Sequence, residues 1–228
     1  MVEATVKVVA HRGSTKGSII QENTLPAFER AIMLGADYIE TDLRKTVDGQ
    51  IVCVHDESVE GKKVKYLTYA ALRKQGVAKL EDVLRLCKGR IRLNFELKEQ
   101  QLEKDFVRIV EQNGMSNDII VTSFDYSAIQ TIQRINPMIQ TGLIIGKRNR
   151  FQRKRLPLAH IDVVCIHYSL LTDQLIDTVK NHRSMLWVWT VNNRSDIQKC
   201  LKKNNIDGII TDEVTLCRNV VMDYETFR

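Results

Sequence analysis

Long apolar runs are missing from this 228-residue chain; stretches such as Val163-Val164-Cys165-Ile166 stop at four or five residues. A helix needs ~20 consecutive apolar residues to cross a bilayer, so an integral membrane protein is not expected. Proline and glycine are also scarce, at 3 and 11 residues, which leaves no room for collagen-like, linker-like or low-complexity sequence. The five cysteines, Cys53, Cys87, Cys165, Cys200 and Cys217, are odd in number, widely spaced and without a CxxC pair, so neither a disulfide framework nor a zinc site is expected. Residues 1–7 offer an acid at Glu3 and no apolar core or small-residue cleavage site, so the expectation is a cytoplasmic chain or one from which a leader has been removed.

Charge is plentiful. Lys and Arg number 34 against 28 Asp and Glu, a net +6 that favours anionic partners: a phosphorylated small molecule, an anionic membrane surface or nucleic acid. The segment Lys147 to Arg155 holds six basic residues in nine. A solvated loop is the favoured reading of it, with peripheral contact to anionic lipid as a further reading and nucleic acid disfavoured.

Short Val/Ile-rich runs alternate with helical patterns, the signature of a parallel sheet wrapped by helices. Nine strands are expected, at residues 6–10, 38–43, 51–54, 91–97, 119–122, 141–145, 163–166, 186–190 and 208–211. Apolar spacing of three and four marks helix faces at Leu25, Phe28, Ala31 and Ile32; at Leu80, Val83, Leu84 and Cys87; at Phe106, Val107 and Val110; and at Ile129, Ile132 and Ile135. Eight such units in ~230 residues match the small end of the (β/α)8 TIM barrel, and no linker or repeat divides the chain, so one α/β domain over residues 1–228 is expected. The surplus strand is read as one arm of a hairpin turning at Asp48-Gly49.

Barrel chemistry sits where strands end at the carboxyl face. The strand ends here carry His11-Arg12-Gly13, then Glu40 and Asp42, then His55-Asp56, then Glu96 and Lys98. Residues two apart on a strand share a face, so Glu40 points with Asp42, and Glu96 with Lys98. Three carboxylates brought together inside a barrel repel one another unless a cation lies between them. Oxygen ligands suit Mg²⁺ or Ca²⁺, and a nearby histidine also admits Mn²⁺. Arg12 and Lys98 supply fixed positive charge for phosphate oxygens, while His11 and His55 can divide proton transfer at phosphorus, in an order the sequence leaves open. His160, His167 and His182 lack any such company and read as structural.

The runs Ala10-His11-Arg12-Gly13, Glu22-Asn23-Thr24, Ile39-Glu40-Thr41-Asp42 and Val54-His55-Asp56-Glu57 resemble, in order and separation, the glycerophosphodiester phosphodiesterase family. Phe95-Glu96-Leu97-Lys98, Ser123-Phe124-Asp125, Val188-Trp189-Thr190-Val191-Asn192 and the closing Gly208 to Asp212 extend the resemblance from Val6 to Asp212. It implies Glu40, Asp42 and Glu96 as metal ligands, and His11 and His55 as acid and base. Arg12 and Lys98 would hold phosphate, Glu22 would support the metal or a substrate hydroxyl, and Trp189 would wall the alcohol group. The implied reaction is metal-dependent hydrolysis of a small glycerophosphodiester, such as glycerophosphocholine or glycerophosphoethanolamine, to sn-glycerol 3-phosphate and an alcohol. A lysophospholipase D on the same scaffold and an inert barrel that binds phosphate-bearing lipid or nucleic acid are the alternatives. The chain departs from the family pattern in a shortened insertion, Ser58 to Lys79, after the third strand.

Overall fold

The computed structural model describes residues 6–147 and 157–226. The basic residues 148–155 thus lie outside the described residues. The chain opens with β1 (Lys7–His11), α1 (Leu25–Met33) and β2 (Tyr38–Lys45), then folds back as β3 (Ile51–Cys53). A small hairpin, β4 (Ser58–Val59) and β5 (Lys62–Lys63), leads to α2 (Tyr69–Arg73) and α3 (Leu80–Cys87). Regular alternation follows: β6 (Arg92–Leu97), α4 (Glu103–Gln112), β7 (Ile119–Ser123), α5 (Tyr126–Ile135), β8 (Gln140–Ile145) and β9 (Val163–His167). The last units are α6 (Asp173–Asn181), β10 (Met185–Trp189), α7 (Arg194–Lys202), β11 (Gly208–Thr211) and α8 (Val214–Thr226).

Eight parallel strands close into a barrel in the order β1-β2-β6-β7-β8-β9-β10-β11, and β11 pairs back onto β1. The surplus strand is β3, antiparallel to β2 beyond the turn at Asp48-Gly49, as the hairpin reading expects. The insertion that follows is as short as the sequence suggests, one two-strand hairpin and one five-residue helix over a small cluster of Val52, Val54, Val64 and Leu72.

Helix ends follow local chemistry. Thr24, Asp125, Thr172 and Asn193 each cap a helix by accepting a backbone N–H with the side chain, which satisfies one of the orphan donors of the first turn. The amphipathic faces then cover the sheet, and Phe28, Leu84, Phe106, Ile132 and Val179 join one core between helices and barrel. Ile135 departs from expectation at 40% exposed, because each three-residue step rotates a helical side chain by about 60° and carries the third member off the buried face. Among the described residues no helix stands between β8 and β9, so one of the eight expected helices is not seen.

Inside the barrel a second cluster gathers Val9, Tyr38, Ile120, Ile144, Val163, Cys165, Trp187 and Ile210. Tyr38 meets Trp187 edge to face with centroids 4.9 Å apart, a pairing worth ~0.5–1.5 kcal/mol beyond burial. Gly142 and Gly208 make room for these walls: a Cβ would lie 2.8 Å from Thr122 Cγ2 in the first case and 2.7 Å from Trp187 Cδ1 in the second. With the lower barrel filled by apolar side chains, the polar groups of the same strands emerge one layer higher, at the carboxyl end.

Candidate active site

Strand register assembles that layer. His11 stands opposite Glu40 across β1 and β2, and Asp42 opposite Glu96 across β2 and β6. Glu40, Asp42 and Glu96 are 4%, 1% and 7% exposed, and one carboxylate oxygen of each lies within 4.8 Å of the others. Lys98 Nζ bridges two of them, 3.0 Å from Asp42 and 2.6 Å from Glu96. Arg12, at φ 54°, turns its backbone N–H onto Glu40 at 3.0 Å and donates from its guanidinium to Glu22 at 2.8 Å. Its Nε stands 3.3 Å from Asp42. Asn23 donates to Asp42 at 3.1 Å while accepting from Thr41, which fixes the carboxylate further.

Electrostatics separate the three acids. Burial and the neighbouring Asp42 push Glu40 up to about 8. Burial acts on Asp42 in the same sense, but Lys98 and Arg12 outweigh it and hold the carboxyl below its usual range. Burial raises Glu96 despite Lys98. Were all three ionised they would exceed the charges of Lys98 and Arg12 by one, and Glu40 is the acid that holds its proton to the highest pH. A hard divalent cation is the chemical complement of that oxygen set, and Glu40, Asp42 and Glu96 could hold it.

The two histidines differ in their partners. His11 Nδ1 pairs with Asp212 Oδ1 at 2.7 Å, and Asn192 in turn donates to the other Asp212 oxygen and accepts from its backbone N–H. Burial opposes charge on His11, yet the hydrogen bond to Asp212 and the field of Glu40 prevail, so its pKa is raised. His55 Nδ1 pairs with its neighbour Asp56 at 2.7 Å, and Arg44 holds the His55 carbonyl with two donors. Partial burial and the charge of Lys98 lower the pKa of His55.

His11, Arg12, Glu40, His55, Glu96, Lys98 and Trp189 all line one cavity of about 160 Å³, whose apolar side is Phe124, Ile144 and Ile210. Trp189 is fixed by donating to the Cys165 carbonyl at 3.1 Å. Glu22 is not drawn into the acidic trio; its half-exposed carboxylate engages Arg12 instead. Trp187, on the same strand face as Trp189, is fully buried one layer below.

The chain is similar to known proteins over nearly its whole length. The glycerophosphoryl diester phosphodiesterase family profile matches residues 11–216. The chain belongs to this family. A glycerophosphodiester phosphodiesterase of Caldanaerobacter subterraneus is 27% identical over 244 residues, covering 94% of this chain and 97% of its own. A crystal structure of a glycerophosphodiester phosphodiesterase from Parabacteroides distasonis superposes with a TM-score of 0.84 at 25% identity, over 97% of this chain and 99% of that one. An Oleispira antarctica phosphodiesterase, solved in complex with the product sn-glycerol-3-phosphate, shares the fold with a TM-score of 0.83 at 21% identity, over 96% and 97% of the two chains.

Two residues of this family member escaped the sequence reading as site residues. Asp212 and its holder Asn192 lie 201 and 181 positions from His11, and only barrel closure makes them neighbours. The signal within reach was position: Asp212 follows the last strand as His11 ends the first. His167, read as structural, caps the turn after β9 by accepting the Ser169 N–H at 3.2 Å, and its ring lies edge-on to the Trp189 indole at 5.1 Å.

Proposed function

We propose that residues 1–228 act as one domain that hydrolyses small glycerophosphodiesters to sn-glycerol 3-phosphate and an alcohol, with a divalent cation, Mg²⁺ or Ca²⁺, held by Glu40, Asp42 and Glu96. The observation that carries this reading is the convergence of two oppositely tuned histidines on one cavity lined also by Glu40, Glu96, Arg12 and Lys98, with Asp42 buried against Lys98. The bound cation would supply Lewis-acid polarisation of the phosphoryl group. Arg12 and Lys98 hold phosphate oxygens, the first as a fork steadied by Glu22, the second as a point charge. His55, whose lowered pKa keeps it neutral, accepts the proton of the attacking hydroxyl. That hydroxyl belongs to water or to the glycerol group itself. His11, whose protonated form the hydrogen bond to Asp212 favours, donates to the leaving alkoxide, and Trp189 walls the organic part of the substrate.

An inert binding barrel would have no need for every one of these groups, and their joint retention in one cavity speaks for catalysis. The test is release of glycerol 3-phosphate from glycerophosphocholine by wild type and by His11→Ala, with Mg²⁺ or Ca²⁺ and after EDTA. Cation-dependent release that drops by ~10²-fold or more in the variant is expected. Release unaffected by both the chelator and the substitution would refute the reading. Lysophosphatidylcholine run alongside decides between this activity and a lysophospholipase D.

A further inference from the structure

The catalytic cavity is small, and its groups are committed to the phosphoryl centre and the polyol attached to it. The second alcohol of a diester must find room outside. Between the carboxyl ends of β6 and β7 lies a neighbouring cavity of about 240 Å³ that shares Glu96, Lys98 and Phe124 with the first. Phe124 is the partition: its ring is 41% exposed and meets Trp189 edge to face at 5.9 Å. The remaining wall carries two carboxylates in different states. Glu99 is matched by Arg44 at 3.3 Å and by the backbone N–H of Lys45. Asp125 accepts only from neutral donors, the Ser127 N–H and hydroxyl and the Gln100 amide, and among the described residues no cationic side chain pairs with it. Those donors hold its pKa low, so the carboxylate is ionised at neutral pH. Lys98 cannot neutralise the cleft, since Asp42 and Glu96 already claim it.

We propose that this cleft receives the leaving alcohol of the diester and selects alcohols that carry a cationic nitrogen, seated on the Phe124 ring with Asp125 as counter-charge, an inference that rests on the phosphodiesterase reading above. An exposed aromatic face beside an unmatched carboxylate is the arrangement that attracts primary and quaternary ammonium groups. Aliphatic polyols gain nothing from either.

The experiment compares kcat/KM for glycerophosphocholine with that for glycerophosphoglycerol, whose alcohol is neutral, at fixed ionic strength. The wild type should favour the cationic diester by about tenfold. Asp125→Asn, which keeps the capping acceptor of α5, and Phe124→Leu should each shrink that ratio several-fold, mainly through KM. Independently of any variant, free choline should compete with substrate where glycerol at equal concentration does not. Equal efficiency on both diesters, or a ratio that neither substitution moves, would overturn the cleft assignment while leaving the phosphodiesterase reading intact. Hydrolysis of neither diester by the wild type would overturn both.

Discussion

Replacing Asp212 with asparagine exchanges one oxygen for an amide nitrogen and should remove most of the catalytic rate. In the native site Asn192 donates to one Asp212 oxygen, so the other is free to accept from His11 Nδ1. If Asn192 goes on donating, the introduced amide must turn its oxygen toward Asn192 and its NH₂ toward His11. Two donors then face each other whenever the imidazole is protonated. The lost bond is charge-assisted, and such bonds are worth ~1.5–3 kcal/mol, or about 10- to 100-fold in the protonation equilibrium. Asp212 is 38% exposed, so solvent screening places the effect toward the lower end of that range. General-acid assistance contributes ~10²–10⁴-fold in all, and kcat on glycerophosphocholine should fall by about tenfold, the share that the Asp212 bond carries. The pH profile carries a sharper signature. The raised pKa of His11 sets the alkaline limb, because the acid form is lost as pH rises through it, and that limb should move to lower pH in the variant. The acid limb, set by the lowered pKa of His55, should stay in place. Thermal unfolding of the variant close to wild type would show that the fold is retained. A rate within threefold of wild type, or an unmoved alkaline limb, would refute the role given to Asp212.

Two further outcomes are expected. Cation affinity, followed by calorimetry in Glu40→Gln and wild type, should rise with pH up to about 8 in the wild type, since protons and cation compete for Glu40; a pH-independent affinity would remove Glu40 from the ligand set. Gly142→Ala should destabilise the fold by ~1–3 kcal/mol, because the new methyl would lie 2.9 Å from the Val163 carbonyl as well as against Thr122. Unchanged urea unfolding would show that the wall yields.

Much of the barrel was legible because its determinants are local. Val/Ile runs set the strands, and apolar spacing of three and four sets the helix faces. Period-two spacing put Glu40 with Asp42, and the structure draws Glu96 into the same trio. Lys98 was legible as a partner of Glu96 but not as a bridge to Asp42, which depends on the β2–β6 register. Barrel layers were equally invisible: Trp187 and Trp189 share a strand face, yet one plugs the interior and the other walls the cavity. Asp212 was hidden for the same reason, since no local pattern states which strand lies beside the first.

The pairing of His11 with Asp212 spans the seam where the barrel closes, and it has a temporal consequence. Synthesis delivers β1 first and β11 last, and domains assemble as the chain emerges. A nascent chain holding the acidic trio, Arg12, His55 and Lys98 therefore still lacks the Asp212 partner of His11 until β11 has been made. Full turnover would thus report completion of the ring, and fragments ending before residue 208 would be silent however well their earlier strands had formed.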